Sequence, residues 1–600
     1  MSQTTTAAPS EQAGSDTTRA GGGKPEHHDV IVIGAGVAGI YQIKRLVDLG
    51  VDAIVLETLS GLGGTWYRNR YPGARFDSES YTYGYSFSRE LLDGWHWKER
   101  FSPQPENLRY LRYVAETFDL ERHMLFDTRV ETMRFSDDTV FGDDTVFGDD
   151  TVFSDDTVRD STVAGGDGSA GGGRTGGRGP GWTLTIDDGR VYTCRFVVTG
   201  VGLLSAPTPP RIEGMDRFTG PSFHTFDWPD DPIDLSDKRV AVIGTGATGI
   251  QVIGEIADKV RELVVFQRRP NWSAPLNNAP IDGETMADIR SRYDEIFATC
   301  ARTPGGFVHE PDRRGFWNVS REERVALWDR LYEEPGFGIW LQNFSEIFTD
   351  EVANAEFSEY IADRIRCRVH DPEVAEKLIP RDHGFGVQRV PLETNYFEAY
   401  NRDNVRLVDI SETPIERITP TGIEISDGHH HDVDVIVYAT GFDAITGAFD
   451  RINIVGTGGL TLRDKWRDGP ITYLGVLVNG FPNLIMVAGP QSGSASTNFP
   501  RSIETSVDWV TDLLTYTFEH DRTRLEATEE AEAAWAAHVE ELYAIMLMRK
   551  AKGWFTGYNS NVEGHEEGTL RYNVYNGGAP KYLAKITEVA DGGYAGVELA

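Results

Sequence analysis

The chain has 600 residues, 40% hydrophobic and 25% charged, with a formal net charge of −35. That length exceeds one hydrophobic core, so two to four globular domains are expected. The acidity argues against nucleic acid as a partner, because phosphates would be repelled.

Basic residues are mostly arginine. This suits a soluble protein from a GC-rich genome. It also suits adaptation to high salt, where an acidic surface is screened. Cys194, Cys300 and Cys367 are far apart and form no CxxC. No disulfide framework, zinc ribbon or dithiol redox pair is signalled, and the usage fits a reducing cytoplasm. No apolar run reaches the length of a membrane span, and none opens the chain as a signal peptide would.

Residues 1–27 are Ser, Thr, Gly, Ala and charge, the composition of a disordered tail. DVIVIGAGVAG, Asp29 to Gly39, then reads as a buried strand, a glycine turn and a helix. Gly34, Gly36 and Gly39 form G-x-G-x-x-G, whose backbone N–H groups meet a pyrophosphate. The next strand, DAIVLE, ends at Glu57. A carboxylate there accepts from ribose hydroxyls and repels a 2′-phosphate, so this site suits FAD or NAD. GGTWYRNRYPGARFD, Gly63 to Asp77, adds a second glycine pair that favours a flavin.

FSDDTV, FGDDTV, FGDDTV and FSDDTV fill Phe135 to Val158, and a glycine-rich stretch follows. This reads as a solvated low-complexity insert over 136–178, between strand-like flanks. A small Ca²⁺-binding β-roll is the alternative.

FTGPSFHTFDWPD, Phe218 to Asp230, is too broken by Gly220, Pro221 and Pro229 for a helix or an inner strand. Directly after it, KRVAVIGTGATG repeats the strand–turn–helix form through Gly244, Gly246 and Gly249. Here the following strand, ELVVFQRRP, ends in Arg268 and Arg269 rather than an acid. Guanidinium groups pair with a 2′-phosphate, so the second site suits NADPH. From about residue 277 to 382 the pattern is helical, and strands return at VDVIVYATGFD and FPNLIMVAGP. The fold class is α/β, with two Rossmann-like dinucleotide-binding domains and a helical insertion. The FAD domain is expected to be discontinuous, over 28–205 and 443–600. The NADP domain covers 206–276 and 386–442, and the insertion 277–385.

A flavin site with an NADPH site implies hydride transfer to flavin, and with no cysteine pair to accept the electrons, O₂ or an external acceptor remains. Two long signatures narrow this. Phe218, Gly220, His224, Trp228 and Pro229 fit F-x-G-x-x-x-H-x-x-x-W-[PD], and Gly64, Trp66, Tyr71, Pro72, Gly73 and Asp77 fit a second motif. From Asp29 onward the chain resembles the type I Baeyer–Villiger monooxygenases.

The resemblance implies FAD, NADPH and O₂, a C4a-peroxyflavin, and conversion of a ketone to an ester or lactone. In GFGVQRVPLETNYFEAYNRDNV it places the catalytic arginine at Arg389, paired with Asp77. An arginine keeps its charge, which a peroxyanion and an anionic tetrahedral intermediate both require. The family often has lysine before that arginine; this chain has Gln388. By resemblance, Thr65, Tyr83, Val130 and Gln491 join the FAD site. Thr245, Thr248 and Trp554 join the NADP site, and Ser494, Ala495, Ser496 and Phe499 shape the ketone pocket. His224 is expected to be structural. The alternatives are a related flavin monooxygenase acting on nitrogen or sulfur, and a redox sensor without turnover. The other partners expected are a small ketone and O₂, with a monomer or weak homo-oligomer as the assembly.

Overall fold

The computed structural model describes residues 24–141, 177–493, 497–565 and 570–600. Two parallel-stranded sheets organise it. In the first, Glu26–Ile33 lies between Ala53–Leu56 and Val191–Thr199, parallel to both. All three strands are rich in Val and Ile, as suits a sheet covered on both faces. Val130–Phe141, Gly177–Ile186 and Val191–Thr199 extend the sheet as antiparallel neighbours. Two strands arrive from much later in the chain: Asn453–Val455 pairs with Val130–Phe141, and Leu484–Met486 pairs with Val191–Thr199. The C-terminal part therefore completes the first sheet. Helix Phe499–Glu519 then packs on the first glycine helix, Val37–Asp48, where Tyr41 donates to Asp508 at 2.6 Å.

The second sheet is wholly parallel, in the order Val405–Asp409, Glu262–Gln267, Arg239–Ile243, Val435–Tyr438, Ser222–His224. Its last strand belongs to the FTGPSFHTFDWPD stretch. The prolines and glycine that bar it from an inner position leave it competent as an edge. Between the two chain segments of this sheet come the expected helices, among them Arg321–Glu333 and Glu351–Arg368. Ser320 and Glu323 close a capping box at the first. Their apolar faces share one core with the second sheet, centred on Trp328, Phe337 and Phe357.

Two expected boundaries shift. The first strand starts at Glu26, so the extended backbone begins inside the segment read as tail. Residues 136–141 and 177–178, read as insert, continue a hairpin, with Thr139 paired to Gly179 and Phe141 to Gly177. Thr139 donates to the Gly181 carbonyl at 2.9 Å, and Asp138 pairs with Arg178 at 2.7 Å. The first repeat copy has the alternating pattern of a strand, and a partner strand takes it up. Beyond Phe141, the first residue of the second copy, the repeats lie outside the described residues.

Candidate active site at the junction of two nucleotide cavities

A cavity of about 420 Å³ opens over the first glycine turn, between the ends of the first sheet's strands and helix Phe499–Glu519. Gly34, Gly36, Glu57, Gly64, Thr65, Trp66, Tyr83, Val130 and Phe499 all line it. Gly39 lies behind: a Cβ there would stand 1.8 Å from the Gly34 carbonyl oxygen. Only glycine lets the helix start this close to the strand. Across the cavity a Cβ on Gly64 would meet the Gly36 Cα at 2.9 Å, so the two glycine turns face each other in contact.

Glu57 is buried. Its carboxylate accepts from the backbone N–H of Ala35 at 2.7 Å and of Leu59 at 2.8 Å. Burial pushes its pKa up while these bonds oppose the rise. One oxygen therefore helps to shape the glycine turn itself. Trp66 donates to the Tyr83 hydroxyl at 2.8 Å, and Tyr83 stacks on Phe76 with ring centroids 4.3 Å apart. These aromatics form one rigid wall.

Gln491 departs from the expectation. It does not line the cavity. Its side-chain oxygen accepts from the Thr472 N–H at 3.1 Å, and its backbone has φ +63°. Val487 and Ala488, just before Gly489, line the cavity instead. Ser494, Ala495 and Ser496 lie outside the described residues. Phe499, expected at the ketone pocket, stands on the wall of the first cavity.

Two adjoining cavities, of about 340 and 420 Å³, open over the second glycine turn. Gly246, Thr248, Arg268, Arg269, Gln388, Arg389 and Trp554 line the smaller one; Gly244 and Thr245 line the larger. Gly249 packs behind, where a Cβ would be 2.2 Å from the Gly244 carbonyl oxygen, while a Cβ on Gly246 would meet nothing within 4 Å. Thr245 is buried and donates to the Arg269 carbonyl at 3.0 Å, tying the glycine turn to the arginine strand end. Burial, then the neighbouring Arg269, holds Arg268 below the usual guanidinium range. The nearest carboxylate to this pair is Asp382, 3.9 Å from Arg269. Two neighbouring cations, Arg268 exposed and Arg269 half-buried, with one carboxylate 3.9 Å from the second, suit an anionic ligand.

Arg389 and Asp77 are joined. Nη2 donates to both carboxylate oxygens, at 2.8 and 3.0 Å. The guanidinium lies over the Phe337 ring, 4.7 Å from its centroid, and 5.9 Å from that of Trp340. Both bonds use one nitrogen, which leaves the remaining N–H groups for a ligand. Arg389 lines the smaller cavity over the second glycine turn, and that cavity shares Leu204 with the first.

The two long signatures touch. Asp227 and Asp230 of FTGPSFHTFDWPD pair with Arg68 and Arg70 of GGTWYRNRYPGARFD, and the Arg68 guanidinium lies 4.9 Å from the Phe226 ring centroid. Phe226 and Asp227 line the first cavity, a role not read from the sequence. Tyr71 donates to Gln251 on the second glycine helix at 2.9 Å, and Gln251 returns a bond to the Arg75 carbonyl at 3.0 Å. A Cβ on Gly73 would be 2.6 Å from the Gln251 carbonyl oxygen. His224 is buried, and its Nδ1 accepts from the Phe226 N–H at 3.1 Å. Burial lowers its pKa, which keeps it neutral and suits a structural post. Phe218 packs beside Gly220 and Trp228 on Phe223, while Pro229 is exposed.

Arg129 and Arg451 also line the first cavity, and neither sits in a recognisable motif. Among the described residues no group of His, Cys, Asp and Glu could hold a metal ion, and no helix is long and apolar enough to cross a membrane.

The family model described as NAD(P)-binding Rossmann-like domain matches residues 32–93, the first glycine unit. The 2-oxo-Δ3-4,5,5-trimethylcyclopentenylacetyl-CoA monooxygenase of Pseudomonas putida is 40% identical over 95% of this chain and 98% of its own. A Baeyer–Villiger monooxygenase of Pseudooceanicola batsensis is 36% identical over 94% and 95%. The crystal structure of OTEMO in complex with FAD and NADP is 40% identical, with a TM-score of 0.85, over 96% of this chain and all of that one. A phenazine N-monooxygenase of Lysobacter antibioticus also matches, at 37% identity over 95% and 96%.

Proposed function

The chain belongs to the family of FAD- and NADPH-dependent Baeyer–Villiger monooxygenases, and on that premise we propose that it inserts one oxygen atom of O₂ beside a ketone carbonyl, giving an ester or lactone, with Arg389 as the catalytic cation. The observation that carries this reading is the Arg389–Asp77 pair, with Arg389 on the wall of the cavity over the second glycine turn, which shares Leu204 with the first cavity.

The first cavity suits FAD. Its helix N-terminus and facing glycine turns would hold the pyrophosphate, and Arg129 and Arg451 add positive charge. Glu57 would use its remaining acceptor capacity on the ribose. The second cavity suits NADPH, with Arg268 and Arg269 toward the 2′-phosphate and Trp554 beside the nicotinamide end. FAD, when bound, takes hydride from NADPH and activates O₂.

Arg389 does the remaining electrostatic work. Asp77 fixes its orientation, and the rings of Phe337 and Trp340 shield one face from water. A permanent cation so placed stabilises negative charge developing on the attacked carbonyl oxygen. It also disfavours proton uptake by an anionic oxygen nucleophile, which would waste NADPH as H₂O₂. The three cysteines are unpaired thiols, which fits a reducing compartment such as the cytoplasm. A monomer or weak homo-oligomer is our reading of the assembly.

The test is Arg389→Ala in the FAD-loaded enzyme. Stopped-flow reduction by NADPH should stay within about threefold of the parent, while ester formation falls by a factor on the order of 100 or more. Efficient ester formation by this variant would remove Arg389 from the role. The N-oxidising relative gives nitrogen oxidation a place as a second reading. Product analysis with a ketone panel and a heteroaromatic amine separates the two.

A further inference from the structure

Resting on Arg389 as the catalytic cation, a further support for its ion pair comes from a loop of the helical insertion. TPGGFVHE, Thr303 to Glu310, follows helix Tyr293–Arg302. Thr303 closes the loop, its Oγ1 donating to the Phe307 carbonyl at 2.6 Å. The loop reaches both sides of the Arg389–Asp77 pair. On one side the Phe307 ring meets Phe337 edge-on, with centroids 5.3 Å apart, and Phe337 is the ring beneath the Arg389 guanidinium. On the other, His309 Nε2 lies 2.8 Å from Oε1 of Glu79, which is two residues along the chain from Asp77. The two contacts are linked. A Cβ on Gly336, next to Phe337, would stand 2.8 Å from that same Glu79 oxygen.

Glu79 and His309 are both buried. The second carboxylate oxygen of Glu79 is buried too, with no hydrogen-bond partner among the described residues. His309 is thus the side chain that the structure sets against this carboxylate. A buried carboxylate stripped of its partner is costly, and the chain that carries it is drawn toward water or another cation. Any such shift would pass directly to Asp77 on one side and to Tyr83, on the wall of the first cavity, on the other. We infer that His309 is a positioning residue for oxygen insertion: by holding Glu79 it keeps Asp77 aimed at Arg389. The loop serves the ion pair twice, through Glu79 behind the acid and through Phe307 behind the ring that carries the cation.

The test uses the FAD-loaded enzyme and a ketone that the parent converts. In His309→Ala, ester formed per NADPH consumed should fall about tenfold, with H₂O₂ making up the difference, while FAD content and stopped-flow reduction by NADPH stay within about twofold of the parent. Adding Glu79→Gln should restore that ratio to within about threefold of the parent, because a neutral amide tolerates burial without the imidazole. His309→Gln, which keeps an N–H for Glu79, should also stay within about threefold. Unchanged coupling in His309→Ala would overturn the inference. So would reduction and ester formation falling together, or a double variant no better than the single, since lost packing would give those results. If His309→Ala does not retain FAD, the double variant and His309→Gln decide, and poor coupling in either overturns it. A parent that makes no ester from any ketone would instead remove the reading of Arg389 beneath it.

Discussion

Asp443 shows how the junction between the two nucleotide domains constrains single residues. It follows the strand Val435–Tyr438 of the second sheet, where the chain returns to the first domain. Burial, then the Asp450 carboxylate, pushes its pKa up to about 6, against the opposing pull of Arg571 and Arg451. His565 is 3.8 Å away. Between about pH 4 and pH 6 the folded chain holds a proton that the unfolded chain has released. This residue's contribution to stability therefore falls as pH rises through that window and is flat above it. Asp443→Asn should melt a few degrees higher than the parent at pH 8, roughly 2–4 °C, and within about 1 °C of it at pH 4. Calorimetric melting at both pH values checks this; identical curves at pH 8 would contradict the burial argument.

Among the elements, the hairpin of Val130–Phe141 and Gly177–Ile186 has a definable functional limit. Its bonded ladder reaches Phe141 and Gly177, and Thr139, Asp138 and Arg178 all have partners within it. Joining Phe141 to Gly177 by a two-residue Asn-Gly turn suits the antiparallel geometry. That variant should keep the parent's kcat/KM within about twofold and its melting point within about 3 °C, since no removed residue adjoins either cavity in sequence. Loss of FAD on purification would show that the removed segment supports the first domain. A cut from 136 onward is a different experiment, because it removes strand residues and the Asp137–Arg524 pair as well.

The elements also show what was legible in the sequence. Both glycine turns, the acidic and basic strand ends and the discontinuous first domain carry local signals, because a nucleotide demands particular residues at fixed spacing. Arg389 and Asp77, 312 positions apart, came only through the resemblance; no local pattern brings them together. Gln491 follows Val487 and Ala488 closely in sequence, but with its backbone at φ +63° its side chain bonds Thr472 rather than lining the first cavity. Arg129 and Arg451 gave no signal, since a single arginine beside a strand is ordinary on any surface. Phe226 and Asp227 lie inside the FTGPSFHTFDWPD stretch, yet their contact with the first cavity depends on where the edge strand docks.

At the scale of the molecule, the net charge of −35 sets a self-repulsion that no single pair relieves. Many acid–base pairs are exposed, such as Arg122–Asp119 and Arg292–Glu295, and pairs of that kind contribute little. Salt shortens the range of repulsion to about 3 Å at 1 M, while buried pairs are screened less. The melting point should therefore rise as KCl increases from 0.05 to 1 M, with the protein still binding FAD. A monotonic fall would mean that attractive surface pairs outweigh the net repulsion. Activity that also peaks above ordinary salt would favour the high-salt reading of the composition over the GC-rich one.

The edge strand Ser222–His224 and the acids just after it have a consequence for recombination. By hydrogen bonding this stretch belongs to the second sheet; by charge, through Arg68 and Arg70, it belongs to the first cavity. A graft that exchanges the NADPH domain with a relative's will carry Asp227 and Asp230 with it, but leave both arginines behind. Such a hybrid can fold as two sound halves and still be mismatched where they meet. Parents for domain exchange should be chosen by whether these four residues agree, before overall identity is considered.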